Sequence, residues 1–375
     1  MKIAILTLPI CINYGGILQA YALQTVLKNL GHDVFFLNLR YKRNPFWLRF
    51  LVNCKRFVYL YFLNKVTNLS SKEARFVTKE VSRFVVNNIK LGRPLYTQKS
   101  LYKEYKKHKT ELIVYGSDQI WRPAYAPDIY YYFGSFVRSD VKQISYAASF
   151  GIEDASEYTF EQLQKCTELL KAFSSISVRE SSGIDICRDS LNATAECHLD
   201  PTLLLTIENY QELIAKVSTE KSKGNFLVYI LDETEEKQEL ISRIARAKSL
   251  TPFYLNLDVN DTNIPIEKRV LPSVEQWLRG FAEADYILTD SFHGCVFSIL
   301  FKKQFVSLGN KIRGTNRFES LLKKFGLEDR MLDVNLYEDI MTLLFCRTIN
   351  YENVSNILNE ERKRSYNFLK NAINH

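Results

Sequence analysis

The sequence predicts an α/β fold: two Rossmann-like domains facing each other across a cleft, with a helical, basic insertion in the first. Three observations carry that expectation. Short apolar, β-rich runs alternate with amphipathic helical patterns along both halves of the chain. Most runs end in turns that carry glycine, aspartate or serine. With 46% hydrophobic residues over 375 positions, the chain can bury more than one core. The expected boundaries are 1–200 for the first domain, 201–350 for the second and 351–375 for a closing helix.

Residues 2–8 (KIAILTL) read as a first buried strand rather than a signal peptide, because no small-residue cleavage site follows. The pattern ILQAYALQTVLKNLGHDV then predicts a helix ending at Gly31, and DVFFLNL a second strand. This βαβ unit implies a parallel sheet with a right-handed crossover. ELIVYGSD, KQISYAAS and SSISVRE continue the series, with a helix over about 158–173. A second series follows HLDPTLLL and the charged stretch at 217–223: NFLVYIL, a helix through 249, PFYLNL, a helix over 273–283, DYILTD, a further helix and QFVSL. Ligands of open parallel sheets lie beyond the carboxyl ends of the strands, so the loops after strands are where a site is sought. Residues 45–110 break the alternation, being helical, basic and aromatic, and read as an insertion.

The charge is unevenly placed. Arg40 to Lys109 holds 18 Lys or Arg against Glu73, Glu80 and Glu104, a local +15 within a net +8, so the remainder is −7. Such a segment on an acidic body suggests a local anionic partner, a phosphorylated ligand or an anionic membrane surface, rather than nucleic acid. Its interleaved Phe46, Trp47, Phe50, Phe57, Tyr59, Tyr61 and Phe62 suit a membrane interface, although they equally suit packing on the first domain. No stretch approaches the roughly 20 apolar residues of a membrane-spanning helix. The seven cysteines are odd in number and widely spaced without a CxxC pair, so neither a disulfide frame nor a metal site is expected.

Four segments could carry chemistry. In NYGGILQAYALQ, Asn13, Gly15 and Gly16 stand between a strand and a helix start, where backbone amides could cradle an anion or simply form a tight turn. In YGSDQIWRP, Asp118 could accept a proton from a sugar hydroxyl and Trp121 could stack on a sugar face beside Arg122; a turn cap and a core tryptophan explain them equally well. In SVRESSG, Arg179 at a strand end could grip a carboxylate or phosphate with two donors. In DYILTDSFHGCVF, Asp290 ends a strand and His293 lies in the turn before an apolar helix, the address of a group that exchanges protons near neutral pH. Lys311, Arg313 and Arg317 follow the next strand and add positive charge. Asp200, in LDPTLLL, reads as structural.

Taken together, NYGGILQAYAL at Asn13, GSDQIW at Gly116, SVRE at Ser177, DPTLLL at Asp200 and TDSFHG at Thr289 resemble, in order, the motifs of the polysaccharide pyruvyl transferase family, over about residues 1–330. The resemblance implies a GT-B-like fold, phosphoenolpyruvate as donor substrate, and an acceptor sugar (galactose, mannose or N-acetylmannosamine) in a bacterial surface polysaccharide or its lipid-linked precursor. It places the family's histidine on His293 and its strand-end arginine on Arg179. Many members carry arginine where this chain has Ser291, so either Lys311, Arg313 or Arg317 supplies that charge to the donor beside Ser291, or the chain belongs to a branch with a different substrate. In the reading that results, His293 is the general acid, Asp118 or Asp290 accepts a hydroxyl proton, Asn13, Gly15, Gly16 and Arg179 help hold the donor, and Trp121 and Arg122 contact the acceptor. No cofactor or metal is expected, and the protein is placed in the cytoplasm, with peripheral contact at the inner face of the membrane left open. The rivals are a nucleotide-sugar glycosyltransferase on the same scaffold and a binding protein without turnover.

Overall fold

The computed structural model describes residues 1–41, 69–138, 140–261, 263–309, 314–332 and 348–374. In the first half, β1 (Lys2–Leu6), β2 (Asp33–Phe36), β3 (Leu112–Tyr115) and β4 (Lys142–Ser145) form a parallel sheet in the order β2-β1-β3-β4. β3 is buried at every position and β1 at all but its first, as expected of strands covered on both faces by helices. The short parallel pair β5 (Ser177–Val178) and β6 (Glu196–Cys197) continues this sheet through single bridges, Ile144 to Ser175 and Ala148 to Val178.

Helix α1 (Tyr14–Asn29) follows β1 and is capped by Asn13, whose side chain accepts from the Gly16 amide at 3.2 Å. It begins three residues earlier than its apolar periodicity suggests, so Gly15 and Gly16 belong to its first turn rather than to a loop. Of residues 45–110, read from the sequence as an insertion, the structure describes those from Leu69 onward; residues 42–68, with the aromatic residues from Phe46 to Phe62, lie outside the described residues. From there α2 (Ser71–Val77, opened by a Ser70–Glu73 capping box), α3 (Lys79–Asn88) and α4 (Gln98–Lys107) bury Val81, Phe84, Leu101 and Tyr105 against the first domain. Between α3 and α4 the chain bridges back at Leu91 to Phe36 and at Leu95 to Leu39, extending the edge beside β2.

After α5 (Phe160–Leu170), α6 (Ser181–Leu191), α7 (Pro201–Leu204) and α8 (Ile207–Ala215), the second sheet forms. Its strands are β7 (Phe226–Tyr229), β8 (Pro252–Tyr254), β9 (Tyr286–Thr289), β10 (Gln304–Leu308) and β11 (Met331–Leu332), parallel in the order β11-β10-β9-β7-β8. The intervening helices are α9 (Glu235–Ala247), α10 (Val274–Glu283), α11 (Phe292–Leu300) and α12 (Asn316–Phe325).

One apolar core runs through both halves, from Leu18 and Leu23 of α1 to Trp277 and Phe297. Tyr14 ties them directly: its ring stacks on Trp277 at 5.5 Å and its hydroxyl donates to the Pro272 carbonyl at 2.7 Å. The last helix, α13 (Tyr351–Asn374), spans the same join. Tyr351 donates to the Ser298 carbonyl, while Arg362 donates to the carbonyls of Leu203 and Leu205. Among the described residues no helix is long and apolar enough to cross a membrane.

The strand orders locate the site. In the first sheet the direction of winding reverses between β1 and β3, and in the second between β7 and β9. Loops leaving the carboxyl ends of adjacent strands diverge at such a point and leave a crevice. The segments after β1, β3, β7 and β9 supply Asn13, Asp118, Leu231 and His293 to one cleft.

Candidate active site

The cleft has a volume of about 360 Å³, in the ordinary range for small-molecule sites of roughly 300–1,000 Å³. First-domain loops contribute Leu8, Asn13, Asp118, Gln119 and Tyr125 to its lining; the second domain contributes Tyr229, Asn256, Asp290, Ser291, His293 and Arg317. Two helix N-termini open on it, α1 through Asn13 and Tyr14 and α11 through Ser291 and Phe292. Their unsatisfied amides and positive dipole ends favour an anion between the domains.

His293 sits in the first turn of α11 with its imidazole against Gly15 of α1. A Cβ on Gly15 would lie 2.1 Å from His293 Nδ1, so glycine here makes room for the histidine. On the other side Nε2 is 3.6 Å from Asp200 Oδ2 and has no hydrogen-bond partner. Asp200, wholly buried at the start of α7, accepts from the Thr202 amide and hydroxyl through Oδ1 and from Arg179 Nη1 at 2.9 Å through Oδ2. Burial alone would raise the Asp200 carboxyl, but His293, Arg179 and Thr202 hold it well below the usual carboxylate range. Asp200 is the site residue that sequence reasoning missed. Its position just beyond β6, the strand-end address shared with Asp118 and Asp290, was the available signal.

Arg179 lies one layer beneath the cleft wall. Asp200 at 2.9 Å, Asp118 at 3.9 Å and Glu180 at 4.0 Å surround its guanidinium, yet its buried Nε and Nη2 make no hydrogen bond. A buried charged donor without a partner costs more than the roughly 1–3 kcal/mol of a neutral one, so these donors mark a place for an acceptor. Glu180 is held elsewhere, its Oε1 accepting from Ser149, Phe150 and Gly151. Phe292 lies under both arginines, 4.6 Å from the Arg179 guanidinium and 5.5 Å from that of Arg317. Burial, aided by repulsion from Arg179, pushes Arg317 down to about 10.

Several expectations change. Trp121 offers no face to a sugar: it is fully buried, stacked on Phe133 at 5.1 Å, with Nε1 donating to the Tyr132 carbonyl. Arg122 lines no part of this cleft, because Glu157 takes both Nε and Nη2. Asp290 lines the cleft, but its oxygens already accept from the Leu231 and Asp232 amides and from Lys237 Nζ at 2.9 Å. It braces the β7 and β9 loops and is poorly placed to take a hydroxyl proton. Ser291 caps α11 by accepting from the Gly294 amide, and Gly16 sits by Asp118, whose Oδ2 would be 3.3 Å from an added Cβ. Asp118 itself adopts the left-handed region at φ 72°, a strain of about 1–3 kcal/mol of the kind that accumulates at working sites. Lys311 and Arg313 lie outside the described residues. Among the described residues no cluster of His, Cys, Asp or Glu could hold a metal ion.

Similarity to known proteins agrees with this geometry. The UDP-GlcNAc 2-epimerase of Neisseria meningitidis, solved with UDP-GlcNAc, superposes with a TM-score of 0.54 at 10% identity, covering 100% of this chain and 99% of that one. The UDP-N-acetylglucosamine 2-epimerase of Rickettsia bellii aligns over 99% of this chain and 96% of its own, at 8% identity and a TM-score of 0.49. At 10% identity the likeness to the Neisseria meningitidis enzyme establishes the fold alone, two Rossmann-like domains in the GT-B arrangement. No curated protein matches the sequence. Residues 13–312, from the cap of α1 to the segment after β10, match the family described as polysaccharide pyruvyl transferase; the chain belongs to that family.

Proposed function

We propose that the cleft transfers the enolpyruvyl group of phosphoenolpyruvate to a sugar of a surface polysaccharide or its lipid-linked precursor and closes it into a pyruvate ketal. The observation that carries the reading is the meeting of His293 with two helix N-termini and buried arginines at one inter-domain crevice. His293 protonates the methylene carbon of the donor, and positive charge develops at the adjacent carbon. A sugar hydroxyl attacks that carbon and gives its proton to Asp118. Phosphate then leaves as its carbon–oxygen bond breaks, a second hydroxyl of the same sugar forms the second ketal bond, and its proton departs with phosphate. The Asp200 carboxylate, 3.6 Å from Nε2, steadies the imidazolium before it gives up its proton.

Charge balance guides the choice of donor contacts in this reading. Asp118, Glu180 and Asp200 outnumber Arg179 and Arg317, so further positive charge is needed for a multiply charged donor. The helix termini supply part of it; Lys311 and Arg313 supply the rest, in place of the arginine that many family members carry at the position of Ser291. The basic segment from Arg40 to Lys109 would bring the enzyme to anionic membranes bearing a lipid-linked acceptor, each basic residue near the surface adding on the order of 1 kcal/mol. Incubation with phosphoenolpyruvate and methyl glycosides of galactose, mannose or N-acetylmannosamine should release phosphate only when both substrates are present. Release of nucleoside diphosphate from a nucleotide sugar, with no phosphate from phosphoenolpyruvate, would replace this reading with a glycosyltransferase.

A further inference from the structure

A second cavity of about 150 Å³ adjoins the cleft, and the two share Leu8, Asn13, Asp118 and Tyr125 in their walls. We infer that this side cavity is the binding site for the acceptor sugar ring, with Tyr41 and Tyr125 as its aromatic walls and Asp118 as the partition between acceptor and donor. The inference rests on the pyruvyl transfer proposed above and supplies the sugar platform that Trp121 cannot provide.

The volume corresponds to roughly five waters, the scale of one pyranose ring. Its walls combine what a sugar requires: tyrosine rings for the apolar face, and a carboxylate and an amide, Asp118 and Asn13, for hydroxyls. The aromatic wall is built rather than incidental. The Tyr41 hydroxyl donates to the Tyr125 carbonyl at 2.7 Å, and the Arg122 guanidinium, fixed by Glu157, lies 4.6 Å from the Tyr125 ring centroid. Arg40 fastens the opposite side by donating to the Ile10 carbonyl at 2.9 Å. The position of Asp118 gives the site its chemical sense. Its Oδ1 accepts from the Gln119 amide, while Oδ2 faces Gly16, another residue of the side cavity. A hydroxyl held there would meet its base at the boundary with the donor cleft. Arg122 thus acts on the acceptor through Tyr125.

Cys11, an exposed thiol on the wall of this cavity, provides a reporter. The full-length enzyme would be treated with N-ethylmaleimide and labelling at Cys11 followed by peptide mass spectrometry. Methyl glycosides of galactose, mannose and N-acetylmannosamine would be tested singly for protection, with phosphoenolpyruvate alone as comparison. At least one glycoside should slow Cys11 labelling more than phosphoenolpyruvate does. Tyr41→Ala should raise the glycoside KM about tenfold and leave the calorimetric Kd for phosphoenolpyruvate within about twofold. Tyr41→Phe, which loses only the tether to Tyr125, should lie between the two. Absence of protection by every glycoside overturns the assignment. So does an unchanged KM in Tyr41→Ala alongside a raised KM in Asn256→Ala, which would put the sugar on the second-domain wall. A wild-type enzyme that neither binds phosphoenolpyruvate nor releases its phosphate would refute the donor reading instead, and glycoside protection of Cys11 would still report on the sugar cavity.

Discussion

Asp118 and Asp290 occupy matching places in the two domains. Each follows a central parallel strand beside the winding reversal of its sheet, and each lines the same cleft. Their surroundings separate them. Asp290 is wholly buried and engaged by two amides and Lys237, whereas Asp118 stands in a strained left-handed turn with one oxygen bonded to its neighbour's amide and the other toward Gly16. Equivalent topology therefore produced one brace and one candidate base. The donors supplied by neighbouring loops decide which is which, and a strand-end aspartate is not a catalytic residue by address alone.

The largest expected effect bears on the histidine that lines the same cleft as both aspartates. His293→Ala should lower turnover by roughly 100- to 10,000-fold, the usual range for loss of a general acid, while circular dichroism shows a folded protein. Near wild-type turnover in that variant would remove the histidine from the chemistry and the comparison with it.

The aspartates themselves should then diverge. Asp118→Asn should reduce kcat by about 100-fold with little change in thermal midpoint. Asp290→Asn should instead destabilise by about 3–5 kcal/mol, because Lys237 is left without its anionic partner in a buried setting. An Asp290→Asn protein with unaltered stability and lost kcat would reverse the assignment.

Gly15→Ala tests how tightly the domains meet. A methyl group overlapping the His293 ring must displace α11 or the imidazole, at a cost of about 1–3 kcal/mol, and activity should fall further than stability. A crystal structure of the Gly15→Ala variant with His293 unmoved would contradict the contact.

The smallest effect is on acid tolerance. The folded-state pKa of Asp200 is depressed, so its contribution to stability is fully present above the unfolded value near 3.9 and is lost only as pH falls through the lower folded value. The pH dependence of urea unfolding between about pH 5 and pH 2 should therefore be steeper in wild type than in Asp200→Asn. Identical slopes would mean that Asp200 is not held ionised by Arg179 and His293.

Much of this molecule could be read from the chain. Apolar runs such as LIVY and FLVY have no polar face, and that alone requires strands covered on both sides, hence parallel sheets with helical crossovers. The turns after those strands hold Asn13, Asp118 and His293, which line the cleft, because the carboxyl ends of parallel strands are local features of the sequence pattern. What a side chain does at such an address was not local. Trp121 and Asp118 are three residues apart in one motif, yet one packs on Phe133 and the other faces the cleft. Asp200, which has an ordinary helix cap's sequence signature, gained its role only when Arg179 and, from the other domain, His293 came to rest against it. Gly15 has the pattern of a phosphate turn, but in the folded chain the imidazole fills the space of its absent side chain. Periodicity reports burial along one element, and so the sequence determined the fold and the rim of the site. Hydrogen-bond partners and charge pairs arise between elements distant in the chain, and only the tertiary structure decided which rim residues are engaged and which remain available for chemistry.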